Sequence, residues 1–292
     1  MTFKVLAWTA VTALSLSQAS FTHDHTELCE GFVEENTMNI PVGFTAGGID
    51  EAAFNGVMDR IESIYTPIIA KKGGKFELVR NWEDGTVNAY AQRIGQTYQI
   101  QMFGGLARHP AITSDAMALV ACHEVGHHIA GAPKVANPWS KWASNEGQSD
   151  YFAGLQCLHL YYALTDSQEW MQKNAASVPA MVTQKCESLY TKSTEQVDCL
   201  RTAMAGLSVA LLFQDLRGDT VVPDFSTPDT KVVTKTDDRH PATQCRLDTY
   251  FSGGLCNKAV DAELSDTDYK QGTCSTANGD AAGVRPLCWF KP

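Results

Sequence analysis

Beyond its first twenty residues the chain has no unbroken apolar run of about 20 residues, the length a membrane-spanning helix needs, so no integral membrane segment is expected in the mature chain. Internal repeats and low-complexity linkers are also missing, which favours one large domain over two small ones. Basic residues are few: 23 Lys and Arg against 33 Asp and Glu leave a formal charge of −10. That balance argues against nucleic acid as a partner. No cysteine stands at the start of the expected mature chain, which speaks against a bacterial lipid anchor.

What is present begins with a leader. Lys4, an apolar stretch from Val5 to Leu16 and then Ser17-Gln18-Ala19 have the layout of a secretory signal peptide over residues 1–19. The expected location is therefore outside the cytoplasm, periplasmic or secreted. Nine cysteines fit an oxidising compartment and leave one thiol over. Cys122, directly before His123, is the expected free one. Spacing makes Cys186–Cys199, Cys245–Cys256 and Cys274–Cys288 plausible local bridges, with Cys29 and Cys157 remaining.

Residues 20–48 read as a polar N-terminal extension and 49–292 as a single domain. From Asp50 to Ile69, Phe54, Val57, Met58, Ile61, Ile64, Tyr65 and Ile68 recur at helical spacing. Phe76 to Arg80, Thr86 to Gln92 and Thr97 to Phe103 read as short strands. In the last of these Tyr98, Ile100 and Met102 alternate with Gln99 and Gln101, so that strand is expected to lie along a cleft where an extended peptide could pair with it. Ser193 to Leu216 predicts a core helix.

The chemistry concentrates in His123-Glu124-Val125-Gly126-His127 and Asn145-Glu146-Gly147-Gln148-Ser149-Asp150. Residues four apart on a helix sit about one turn above each other, so His123 and His127 can offer two imidazole nitrogens to one metal ion. Glu124, one step round the helix, can hydrogen-bond a water held at that metal without ligating it, as a general base must. Thr113 or Ser114 can cap this helix. Gly131, Pro133, Asn137 and Pro138 end it, and Trp142 to Asp150 opens a second helix. Glu146 would be the third ligand. Asp150, one turn further on the same face, can accept the free ring N–H of a ligating histidine. Three protein ligands leave a position for water, which predicts one catalytic Zn2+ per chain. The metzincin alternative needs Gly at 130 and His at 133, where this chain has Ala130 and Pro133. His128, His109 and His159 are expected to be structural, and His23 and His25 to lie in a solvated tail.

Asn145-Glu146-x-x-Ser149-Asp150 resembles the third-ligand motif of gluzincin metallopeptidases, the thermolysin-like enzymes included. His240-Pro241, followed by four residues and Arg246, is similar to an element of the family holding the CaaX prenyl proteases and the heat-shock membrane protease. Val87-Asn88-Ala89-Tyr90-Ala91 and Gly104-Gly105-Leu106 resemble that family's strand and turn ahead of the zinc helix. These elements span residues 87–246. The resemblance implies an α+β, zincin-like domain, mainly helical with a small sheet beside the zinc helix. It implies His123, His127 and Glu146 as zinc ligands, Glu124 as base and Asp150 as partner of a zinc histidine. His240 would reach the substrate carbonyl oxygen, and Arg246 would tie its loop to the site. The chain departs from membrane-embedded members in lacking their several long apolar helices, and reads as a soluble member. Two functions are expected from this: an exported zinc metalloendopeptidase acting on proteins or peptides, or a zinc-binding quality-control protein with vestigial hydrolysis.

Overall fold

Asp50 opens the first long helix by accepting the Ala53 amide, and α1 runs Glu51–Lys71 with Phe54, Val57, Met58, Ile61 and Tyr65 facing inward. This computed structural model describes residues 27–28, 31–44, 47–137 and 140–292. The expected leader, His23, His25 and Cys29 lie outside the described residues. Strands β1 (Glu27–Leu28), β2 (Lys75–Asn81), β3 (Ala89–Ile94) and β4 (Thr97–Phe103) form one sheet in the order β1-β3-β4-β2. β3 and β4 make an antiparallel hairpin, Ala89 opposite Met102 and Ile94 opposite Thr97, and β2 runs parallel to β4. The hairpin turn is Gly95-Gln96, with Gly95 at φ +56°, a left-handed conformation that favours glycine.

Ile100 and Met102 are fully buried as their alternation predicts. The cleft assignment for this strand is corrected, however. β4 has neighbours on both sides, β2 and β3, so its backbone is already paired. Both strands of the hairpin reach α3 (Ser114–Ile129): Arg93 Nε of β3 lies 3.3 Å from His128 Nδ1, and Gln99 O of β4 lies 3.1 Å from His128 Nε2.

The helices follow as α2 (Gly104–Arg108), α3 (Ser114–Ile129), α4 (Glu146–Phe152), α5 (Leu158–Tyr162), α6 (Ser167–Asn174), α7 (Ala180–Leu189), α8 (Ser193–Arg217) and α9 (Thr243–Gly254). The architecture is α+β. Residues Asp115 to His128 of α3 are all buried, because α1, the sheet, α4 and α8 pack round it. A helix enclosed on every side can be apolar all round. A π-helical turn, Ala153–Cys157, joins α4 to α5. Trp142 to Ser144 are not helical, so the second helix starts later than expected, at Glu146. α8 is long and apolar enough to cross a membrane by length and composition, although most of that stretch is buried inside the fold. Asp198 and Arg201 interrupt the stretch, and its burial agrees with the core helix expected over Ser193 to Leu216. The N-terminal extension also differs from its polar reading: Phe32 and Val33 are buried in the same core as α3.

Four disulfides join described residues: Cys122–Cys157, Cys186–Cys199, Cys245–Cys288 and Cys256–Cys274. Only Cys186–Cys199 agrees with the spacing argument. Cys122 is not free. Pointing about 100° round the helix from His123, it faces the π turn and is bonded there to Cys157. The C-terminal chain runs back across α9, bringing Cys288 to Cys245 and Cys274 to Cys256, a long-range path that nearest-neighbour spacing cannot register. Four such bridges suit an oxidising, extracellular-type environment. Replacing Cys122 and Cys157 together by Ser should lower unfolding stability by roughly 2–4 kcal/mol, read from the shift in a guanidinium unfolding midpoint.

Candidate metal centre

Thr113 Oγ1 accepts the Ala116 amide at 3.2 Å and starts α3. Gly131, at φ +76°, turns the chain just past its end. The returning segment is then stitched onto that end. The Ser144 amide donates to His127 O at 2.9 Å, Ser144 Oγ to Gly131 O at 2.7 Å, and Gln148 Nε2 to Ala130 O at 2.7 Å. Asn145 caps α4 by accepting the Gln148 amide at 3.0 Å. These bonds set Glu146, the first residue of α4, opposite the histidine pair. His123 Nε2 stands 3.2 Å from Glu146 Oε2, and His127 Nε2 stands 3.5 Å from Glu146 Oε1.

His123 Nε2, His127 Nε2 and Glu146 Oε2 are buried without a hydrogen-bond partner, as are both carboxylate oxygens of Glu124. Orphaned buried polar atoms are costly and uncommon. A divalent cation would satisfy these atoms: tetrahedral ligands about 2.0–2.2 Å from a metal lie about 3.4 Å from one another, close to the 3.2 and 3.5 Å between Glu146 and the two rings. His123, His127 and Glu146 thus form a buried group that could hold a metal ion.

The outer faces of both rings are already bound. His123 Nδ1 meets Asp150 Oδ1 at 2.7 Å, and His127 Nδ1 donates to Ser144 O at 2.8 Å with Ser149 Oγ at 3.2 Å. With Nδ1 engaged in this way, each ring turns Nε2 toward Glu146, and a metal ion bound there would take the Nε2 lone pair. Asp150 touches His123, as the helix spacing implied. Arg246 lies on α9 rather than on a loop. Its Nε and Nη2 bind the two Asp150 oxygens, each at 2.8 Å, and Nη1 donates to Phe32 O at 2.7 Å. His240 Nε2 donates to Gly31 O at 2.7 Å and lies 3.4 Å from Glu146 Oε2.

Burial pushes the Glu124 carboxyl up to about 8, with Glu146 and Asp150 adding to the rise and His123 and Arg246 opposing it; the positive charge of a bound cation would bring it back toward the ionised form a base needs. Burial also disfavours the charged form of Glu146, yet His240, His127 and His123 outweigh it and hold the carboxyl near 2. His123 is drawn down by burial but raised further by Asp150 and Glu146, to about 9. Burial takes His127 to about 4. The cluster is built to keep Glu146 and Asp150 ionised.

A Cβ at Gly147 would run into the Trp289 ring, which is fully buried. Gly147→Ala should therefore destabilise the fold by about 1–3 kcal/mol and, by displacing Glu146, weaken metal retention. A thermal melt and metal analysis check both.

Among the other histidines, His128 is stacked between Tyr98 and Trp142 and bonds Gln99 O at 3.1 Å, while His109 pairs with Asp215 at 3.0 Å. Phe32 sets its ring edge-on to His123, centroids 5.0 Å apart. Neither Gly31 nor Phe32 carries a motif, and the Ser144 carbonyl, being backbone, leaves no mark in sequence. Compared with protein families, with curated proteins and with solved structures, the chain matches none.

Proposed function

We propose that the chain is an exported zinc metallopeptidase of gluzincin type, hydrolysing peptide bonds in proteins or peptides. The reading is supported above all by one juxtaposition: three unpartnered metal donors beside a fully buried Glu124 whose two oxygens also lack partners. A metal-binding role alone has no use for that carboxylate. The alternative, a binding protein with vestigial hydrolysis, leaves its burial cost without return.

Zinc held by His123, His127 and Glu146 would supply a Lewis acid that polarises a carbonyl and lowers the pKa of water to about 7. Glu124 takes the proton of the attacking water on a carboxylate oxygen and passes it to the leaving amine. Its buried position keeps that proton from bulk solvent. His240 would donate its Nε2–H to the carbonyl oxygen of the substrate in place of Gly31 O, which holds it at 2.7 Å, a contact that strengthens as charge builds there. Asp150 fixes the His123 tautomer, and Arg246 fixes Asp150, so little reorganises during the reaction.

The test is metal analysis and cleavage of unfolded casein by the purified chain, before and after chelation and after zinc is returned. One equivalent of zinc with cleavage that is lost and recovered is expected. No zinc retention by the intact chain, or retention unchanged in His127→Ala, overturns the reading.

A further inference from the structure

Arg285 is a buried cation, 3% exposed, and among the described residues no carboxylate pairs with it. Neutral groups meet its charge instead. Nε donates to Gln148 Oε1 at 2.7 Å and Nη1 to Thr273 Oγ1 at 3.2 Å, while the Tyr151 and Phe290 ring centroids lie 4.7 and 5.1 Å from the guanidinium carbon. Nη2 has no hydrogen-bond partner. Burial draws this guanidinium down to about 10, with Tyr151 and Tyr269 opposing the fall. Burying a charge without a counter-charge is costly, and a neutral side chain of similar size would avoid that cost. The fork of donors therefore needs a use.

Gln148 supplies one. A carboxamide has a donor end and an acceptor end, whereas a guanidinium only donates. With Oε1 held by Arg285, the Nε2 end faces the other way and donates to Ala130 O at 2.7 Å. Turned over, the amide would set its oxygen against that carbonyl, two acceptors face to face. Ala130 ends α3 three residues after His127, and Gln148 stands two residues after Glu146 on α4. The path from Arg285 through Gln148 to Ala130 thus spans the gap between the helix that carries both histidines and the helix that carries the glutamate. Arg285 is itself held firmly. Cys288 is bonded to Cys245 of α9, Trp289 Nε1 donates to Thr249 Oγ1 at 3.0 Å, and Gly283 O accepts the Tyr151 hydroxyl at 2.5 Å. Residues 283–289 therefore brace α4 at positions 147, 148 and 151.

We propose that Arg285 is a positioning residue of the metal centre: by fixing the orientation of the Gln148 amide it sets α4 against α3, and so the fit of Glu146 to an ion shared with His123 and His127. This rests on the metal-binding half of the reading above and is independent of peptide cleavage.

The test is the zinc dissociation constant of the full chain, measured by competition with a fluorescent chelator. Arg285→Met should raise it about tenfold, the size expected for one lost hydrogen bond behind a ligand. Its guanidinium unfolding midpoint should stay close to the parent's, because relief of an unpaired buried charge offsets the unpaired Gln148 oxygen. A residue with only a structural role would lower stability and zinc affinity together. Gln148→Leu should weaken zinc by a similar factor, and the double variant by no more than either single one, since the two residues act along one path. Additive losses, about a hundredfold in the double variant, overturn the route through Gln148, and unchanged affinity in Arg285→Met overturns the proposal. Nuclear magnetic resonance of the unsubstituted chain is independent of how any variant folds: the Gln148 side-chain amide protons should resist exchange with D2O and shift when zinc is added. Exchange at the rate of an exposed carboxamide, or no shift, overturns the proposal. Zinc bound by no chain, the parent included, removes the metal reading and this proposal with it. Zinc bound equally by the parent and Arg285→Met removes this proposal alone.

Discussion

Glu124→Gln should lower the rate of peptide cleavage by about 10²–10⁴-fold, the usual contribution of a positioned general acid–base group, while metal content stays at one equivalent. The substitution keeps the shape of the side chain and removes its ability to take a proton. The ligating atoms are untouched, because Glu124 is buried beside the cluster and is not one of the three residues whose donor atoms converge. Burial disfavours the charged form of this carboxyl, so a neutral amide of the same shape should leave the melting temperature close to the parent's. Cleavage of casein, zinc content and melting temperature, measured side by side, separate the two effects. A variant that cleaves as fast as the parent would remove Glu124 from the reaction, and one that loses its metal would make it part of the binding group.

The second large effect is expected at Asp150. Its carboxylate holds the His123 ring and both forks of Arg246, and all three side chains are fully buried. Asp150→Asn leaves a buried guanidinium without its counter-charge, which should cost about 3–5 kcal/mol of stability. It also frees His123 to rotate, which should weaken metal binding about 10–100-fold. Exchanging Arg246 for Met in the same chain should recover part of the stability but not the metal affinity, because only the unpaired charge is removed. Burial works against the Asp150 charge, but Arg246 and His123 outweigh it and hold the carboxyl well below the usual carboxylate range. A folded-state value depressed in this way contributes stability in full above about pH 4 and loses it as the pH falls further. The acid limb of a stability–pH curve should therefore be shallower in Asp150→Asn.

The readable part of the site consisted of side chains at fixed helical spacing. His123, His127, Glu146 and Asp150 depend on one helix period each and on a turn between them, and Gly131 and Asn145 mark the ends of that turn. His240 and Arg246 were placed by a six-residue spacing alone; they do reach the cluster, though Arg246 arrives on a helix. What sequence could not convey was carried by backbone or by long-range paths. The Ser144 carbonyl has no side-chain signature. The strand order that puts β4 inside the sheet depends on the parallel return of β2 along its other side. Cys245 and Cys256 lie eleven residues apart yet bond elsewhere, because the C-terminal chain returns over α9. Phe32 looked like part of a polar tail since its neighbours are acidic, and only the closed core shows it as an anchor.

The Cys122–Cys157 bond closes a covalent ring around residues 123–156, which contains His123, Glu124, His127, Glu146 and Asp150. A hydrolytic cut between Gly131 and Ser144 would therefore open the ring without separating its halves. Both pieces would migrate as one chain until a reductant is added, and the ligands of α3 and α4 would remain tethered. Nicked across the loop between α3 and α4, the protein would still carry His123, His127 and Glu146 on one covalently linked body.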